Sequence, residues 1–447
     1  VTTPLFAYQE EGVAWAMGRQ YGLLAFDPGL GKSRTILETA KRLGLKRILV
    51  ICPKSVLPVW LHEARRWWPD GPRPLILTKI EAAENEPTMR RSVAIMNWDR
   101  LSRDDSWSQA LTAGARWDLV ICDEAHAIKD PNSLRTRRFY TQLFPHADRV
   151  FLLTATPAPN HYGEFYPALR NCHPQAVTVN GRVLTKFLFE DRYCVVEHRH
   201  VGRGQPVRVV TGSKNGADLK ERIGEFMLRR RKEEVLKDLP PKQIELLPLH
   251  PTRDGFSAIA AAHPTVPDEL SDDELLSLVE NEASFAELRR ALGMAKACAV
   301  VPWVQDFLND NKIKLILWSV HHSVIDHLTS QLADYNAVKL DGRDALTIRE
   351  RAIDRFLNDD ACRIFIGQIK ACGTGLTLLN ERTQPHDCLF VETTFSPADQ
   401  VQAMDRIHRI GQPNQVLARV AVADQVWIDE RVQKILIQKA KALAEVM

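Results

Sequence analysis

The feature that most constrains this chain is a series of short, continuously apolar segments, each followed by a stretch with helical spacing. RILVIC (47–52), SVAIMNW (92–98), WDLVIC (117–122) and RVFLLTATP (149–157) are apolar through their centres. Strands that are apolar on both faces need cover on both faces, which the helices of parallel crossover connections supply. With LLAF (23–26) and PLILT (74–78), these segments predict an α/β domain, a parallel sheet flanked by helices, over residues 1–160. The alternation returns in KLILWS (314–319), AVKL (337–340), RIFIG (363–367), CLFVE (388–392) and VLARVAV (416–422), predicting a second α/β domain over 285–447 with a last helix from about Val426. At 447 residues the chain has room for both cores. Residues 161–250 read as a mostly helical insertion, interrupted by a Gly- and Arg-bearing stretch at 199–216. Residues 251–284, with several prolines and an acidic cluster (Asp268, Glu269, Asp272, Asp273, Glu274), read as a linker.

Composition narrows the class of function. No apolar run approaches the roughly 20 residues of a membrane span, and VTTPLFAYQEEG lacks the charged-then-apolar pattern of a secretory signal. The eight cysteines are scattered without a C-x-x-C pair, so a reduced, intracellular protein is expected. Cys194, His198 and His200 lack a fourth partner at zinc spacing. A net charge of +3 is too small to hold nucleic acid by itself; such a partner requires positive charge gathered in one cleft.

The chemistry-bearing segments sit where that architecture would use them. DPGLGKS (27–33) falls between a strand and a helix. Gly29 and Gly31 let backbone N–H groups curl around an anion, and Lys32 reaches the terminal phosphates of a nucleotide. Ser33 can ligate its magnesium, and Arg34 follows in the same turn. Phe26 stands where the strict phosphate-loop pattern has its first glycine. Asp123 and Glu124, in DEAH after WDLVIC, supply a carboxylate for the metal shell and a base for the attacking water. In QVQAMDRIHRIGQP (400–413), helical spacing puts Gln402, Arg406 and Arg409 at i, i+4 and i+7 on one face bordered by Asp405. That face is either a solvated surface, with Asp405 pairing Arg409, or a source of arginines for a transferring phosphoryl group.

Taken in order, YQEEGV (8–13), DPGLGKS, CPKSVLPVW (52–60), DEAH, LTATPAPN (153–160), ILWSVHH (316–322), IKACGTGLTL (369–378) and QAMDRIHRIGQ (402–412) resemble the superfamily-two helicase core. Within it the chain resembles the Swi/Snf-type family of double-strand DNA translocases, with EFMLRRRKEEVLKDLPPK (225–242) the strongest marker. FLFEDRYC (187–194), GSKNGADLKERI (212–223) and LRRALGMAKACAV (288–300) most resemble the annealing-helicase, fork-remodelling branch.

The resemblance implies two RecA-like lobes that bind ATP and Mg2+ between them. By position, it implies that Gln9 reads the adenine and that Lys32 and Ser33 hold phosphates and metal. Asp123 and Glu124 would do the metal and water work, Arg406 and Arg409 would be fingers, and Gln402 would line the cleft. Thr154 and Thr156 would couple the ATP site to DNA, with Lys54, Ser55, Lys370, Gly373 and Thr374 contacting its phosphates. Pro28, Ala155, Cys372 and Thr377 depart from the family's usual residues. The arginines of LRRRKEEV (228–235) are expected on a helix, docking between the lobes. Arg199, Arg203, Arg208 and Lys214 are candidates for a DNA-facing protrusion, and Trp60, Trp67 and Trp68 for packing. The expected partner is double-stranded or branched DNA, recognised through its backbone by a monomer, in a nucleoid or a nucleus according to source. A strand-unwinding helicase or a restriction-type translocase core is the alternative.

Overall fold

The computed structural model describes residues 4–85, 89–103, 105–158, 160–199, 207–267, 270–372 and 376–446. The chain forms two compact units, residues 1–235 and 236–447.

The first unit is built on seven strands, all parallel: β1 (Tyr21–Phe26), β2 (Arg47–Cys52), β3 (Arg73–Ile76), β4 (Ser92–Asn97), β5 (Leu119–Asp123), β6 (Val150–Leu153) and, after two small ribbons, β11 (Met227–Arg230). Their order across the sheet is β11–β1–β6–β5–β2–β4–β3. Every residue of β2, β4 and β5 is buried, in keeping with their apolar centres. The two ribbons, β7 (Thr178–Val179) with β8 (Arg182–Val183) and β9 (Cys194–Arg199) with β10 (Val207–Ser213), lie among the helices of the insertion.

The second unit repeats the plan with six parallel strands: β12 (Lys242–Leu249), β13 (Leu315–Ser319), β14 (Val338–Leu340), β15 (Ile364–Gln368), β16 (Asp387–Phe390) and β17 (Val416–Ala423). Their order is β12–β17–β16–β13–β15–β14, around a core that includes Trp318, Phe356 and Phe365. No helix among the described residues is long and apolar enough to cross a membrane.

Two boundaries differ from the sequence reading. The insertion expected over 161–250 does not run that far, because β11 joins the first sheet and β12 the second, and the units divide after Val235. β11 escapes notice because it is a half-buried edge strand, where arginines are tolerated and also discourage edge-to-edge pairing. The linker expected over 251–284 instead contains two helices, Arg253–Ala262 and Asp272–Asn281. Ile259, Leu275, Leu276 and Val279 pack with Leu288, Val432 and Leu436. The acidic cluster is largely a helix start: Ser271 caps it in a box with Glu274, and Asp272 and Asp273 fill its first turn.

Candidate active site

Adjacent strands deliver the expected chemistry to one edge of the first sheet. β1 leads into the loop at 27–31, β6 into Thr154, β5 ends on Asp123 and β2 leads towards Lys54, and these four strands are successive neighbours. Because they are parallel, all four turns leave from their carboxyl ends.

The loop turns through Gly29 (φ 85°) and Gly31 (φ 78°), both left-handed, and Gly31 caps α2 (Lys32–Arg42). A Cβ on Gly31 would lie 2.4 Å from Gln9 Nε2, so glycine is needed for Gln9 to rest on the loop. Gln9, on α1 (Ala7–Met17), donates to Leu30 O at 3.0 Å and accepts the Phe6 N–H at 3.1 Å. Lys32 Nζ donates to Phe26 O at 2.7 Å. Desolvation holds the Lys32 ammonium below the usual lysine pKa, even though Glu124, Asp123 and Asp27 favour its charge. Ser33 and Arg34 share the first turn of α2, and the Arg34 guanidinium lies 4.1 Å from the centre of the Trp67 ring.

Asp123 is 9% exposed and held on three sides. Its Oδ2 accepts the Trp60 indole N–H at 2.8 Å, its Oδ1 accepts the Glu124 backbone N–H at 3.0 Å, and its carbonyl accepts the Trp98 indole at 2.9 Å. Burial, and then the neighbouring Glu124, push its carboxyl up to about 6. Glu124 has φ 50°, a left-handed conformation that costs a non-glycine residue about 1–3 kcal/mol, and its Oε2 lies 3.3 Å from His126 Nδ1. The donors are hard oxygens, a cation and N–H groups, a set that fits a magnesium-bound triphosphate. Ser33 and Asp123 would ligate the metal, with Lys32 on the phosphates.

Arg229 completes this edge and was not singled out by sequence. The helix expected over LRRRKEEV is instead strand β11 followed by a short helix, Lys232–Val235. From β11, Arg229 donates Nη1 to Ala25 O (2.8 Å) and Ala155 O (2.9 Å), and Nη2 to Asp27 Oδ1 (2.8 Å). It therefore ties the phosphate loop to the turn after β6. In that turn Thr154, buried, accepts the Thr156 N–H at 3.1 Å. Lys54 is exposed and Ser55 half-buried, on a single turn (Lys54–Val56) that runs into α3 (Leu57–Trp67). Arg208, a candidate for DNA contact, is instead paired with Glu190 and with Asp191 (2.7 Å), and Arg203 lies outside the described residues.

In the second unit the expected arginine helix is shorter than its spacing suggests. Helix Pro397–Met404 holds Gln402, buried, but ends before Arg406 and Arg409. The backbone tightens there, with Arg406 N–H donating to Ala403 O (3.2 Å) and Ile407 N–H to Met404 O (3.1 Å). The single helical face is therefore replaced by turns. Arg406 donates to Gln402 O (3.0 Å) and Leu376 O (3.1 Å), and Arg409 to Asp405 O (3.1 Å) and Thr377 Oγ1. The Asp405 carboxylate lies 3.5 Å from Lys242 Nζ. Thr377, a departure from the family pattern, thus helps hold Arg409, and Cys372, another, is buried with Sγ donating to Leu340 O at 3.5 Å. Lys370 is exposed on Ile369–Cys372 after β15, whereas Gly373 and Thr374 lie outside the described residues.

Trp60 and Trp98 were also missed as site residues. A buried indole needs an acceptor for its N–H; Trp60 lies beyond β2, which neighbours β5, and Trp98 beyond β4, one strand further out, and that requirement was the available signal.

Two parallel sheets flanked by helices, one bearing a phosphate loop beside an Asp–Glu strand end, define a helicase-type ATPase core of two RecA-like lobes. The chain belongs to the SNF2-related family: the SNF2-related domain matches residues 8–256, and the helicase conserved C-terminal domain matches residues 299–411. It is 28% identical over 459 residues to the SWI/SNF-related matrix-associated actin-dependent regulator of chromatin subfamily A-like protein 1 homolog of Caenorhabditis elegans, covering 99% of this chain and 62% of that protein. It is 26% identical over 441 residues to the human DNA annealing helicase and endonuclease ZRANB3, covering 94% and 38%. The chain therefore spans about two-fifths to three-fifths of the length of these relatives. A solved Sulfolobus solfataricus SWI2/SNF2 ATPase core in complex with dsDNA is 19% identical, with a TM-score of 0.45 over 100% of this chain and 93% of that one.

Proposed function

We propose that this chain is the motor of an ATP-dependent double-stranded DNA translocase that remodels branched DNA or protein–DNA complexes. The observation that carries this reading is the gathering of Lys32, Asp123 and Glu124 at neighbouring strand ends in an SNF2-related chain. The names of its relatives, an annealing helicase among them, favour branched DNA.

In this reading the loop N–H groups and Lys32 bind the phosphates, and Gln9 reads the base. Magnesium, when bound, neutralises phosphate charge. Glu124 takes the proton of the attacking water. Arg406 and Arg409 meet the charge that develops on the phosphoryl oxygens, a contribution of about 10³–10⁵ in rate, or roughly 4–7 kcal/mol of barrier. Hydrolysis then needs both units, which is how chemistry is converted to motion. Thr154 and Thr156 transmit between the ATP and DNA sites, and Lys54, Ser55, Lys370, Gly373 and Thr374 track phosphates without reading sequence.

The test is ATPase stimulation by duplex, forked and single-stranded DNA and by RNA. Duplex or forked DNA should stimulate most; stimulation by RNA alone would overturn the reading. A strand-displacement assay without annealing partners separates translocation from true unwinding.

A further inference from the structure

Trp60 is placed to do more than pack. It is 1% exposed, in the first turn of α3, and its indole N–H reaches Asp123 Oδ2 at 2.8 Å. The turn immediately before it, Lys54–Val56, runs into α3 without a break and presents Lys54 to solvent. Asp123 Oδ1 is fixed from the other side by the Glu124 N–H at 3.0 Å, so Trp60 decides how the remaining oxygen is aimed. Trp98 differs: it holds only the main-chain carbonyl of Asp123, at 2.9 Å, and fixes the strand end without aiming the carboxylate.

We propose that Trp60 is a positioning residue through which a backbone phosphate held at Lys54 and Ser55 sets the orientation of Asp123 for magnesium. This rests on the DNA-motor reading for its DNA half, while the positioning half stands on the indole–carboxylate geometry alone. A phosphate pulling on the turn shifts the start of α3, and the indole, one turn along, carries that shift to the carboxylate. Partners that orient a metal ligand typically change metal affinity by about 10–100-fold when removed.

The test titrates Mg2+ against binding of a fluorescent ATP analogue to the whole chain, with and without saturating duplex DNA. For the wild type, duplex should lower the Mg2+ concentration at half-saturation. Trp60→Phe keeps an aromatic ring but removes the N–H and part of the indole's volume. It should raise the Mg2+ requirement about tenfold and abolish the duplex effect, with analogue binding in EDTA retained and the thermal midpoint lowered by the lost bond and packing. Trp98→Phe, the control, should keep the duplex effect. Lys54→Ala/Ser55→Ala should lose the duplex effect at saturating DNA while keeping the wild-type Mg2+ requirement without DNA. That variant decides the linkage even if Trp60→Phe fails to fold. A folded Trp60→Phe with wild-type Mg2+ dependence, or a surviving duplex effect in Lys54→Ala/Ser55→Ala, would overturn the proposal. If duplex has no effect on wild-type binding or turnover, the motor reading fails, and the Mg2+ shift of Trp60→Phe without DNA still judges the positioning claim.

Discussion

The carboxyl edges of the two sheets carry opposite kinds of buried carboxylate. In the first unit Asp123 is pushed up to about 6 by burial and by Glu124, and Lys32 is pulled down by desolvation. In the second unit Asp341, just past β14, accepts Arg343 at 2.6 Å and Lys339 at 2.9 Å, and Arg343 holds its carboxyl well below the usual range. Burial alone would raise Glu392, but His321 and Ser319, each 2.5 Å away, bring it below its ordinary value. The second edge satisfies its charges internally and is built to hold shape. The first leaves its charges in conflict, which a magnesium nucleotide would relieve; perturbed groups of this kind gather where chemistry is done.

The contrast can be broken most sharply at the residues assigned to catalysis. Arg409→Ala should cut turnover by about 10³–10⁵-fold with nucleotide and DNA binding retained, measured by single-turnover hydrolysis beside equilibrium binding. Arg406→Ala should do the same and also lower the thermal midpoint, because Arg406 is buried and donates to two carbonyls. Normal turnover in both would return this stretch to a structural role. Glu124→Gln should cost about 10²–10⁴-fold in turnover, and Lys32→Ala should abolish hydrolysis.

Removing Arg229 is next in size. Arg229→Met leaves the carbonyls of Ala25 and Ala155 and the Asp27 carboxylate without that partner, and should lower stability by about 1.5–3 kcal/mol in denaturant titration.

The smallest effects separate the two carboxylates by sign. The folded pKa of Asp123 is raised, so its ionisation costs stability as pH rises from the unfolded value, about 3.9, through about 6. Free of metal, this carboxylate should therefore oppose stability increasingly up to about pH 6, and Mg2+-dependent nucleotide binding by the wild type should weaken below about pH 6. The folded pKa of Asp341 is depressed, so its contribution is present above the unfolded value and is lost as pH falls through the folded one. Asp341→Asn should lower the midpoint at pH 7, and the difference should fade in acid.

What the sequence made legible was whatever depends on neighbours along the chain. The apolar runs RILVIC and WDLVIC announce buried parallel strands by themselves, and DPGLGKS needs only the strand before it and the helix after it. What it hid depends on partners far away. Met227–Arg230 becomes a strand because β1 offers it an edge, and Arg229 matters because Asp27 and Ala155 lie across that edge. The helix carrying Gln402 stops at Met404 because Leu376 and Thr377, outside it, receive the arginines. Trp60 looked like packing because its acceptor lies 63 residues away.

The most direct measurement is displacement of a triplex-forming strand from duplex DNA, which reports movement along the duplex without strand separation. ATP with Mg2+ should drive displacement by the wild type, and Lys32→Ala and Arg409→Ala should leave the triplex in place. Displacement without ATP, or duplex-stimulated hydrolysis that never displaces the strand, would contradict a translocating motor.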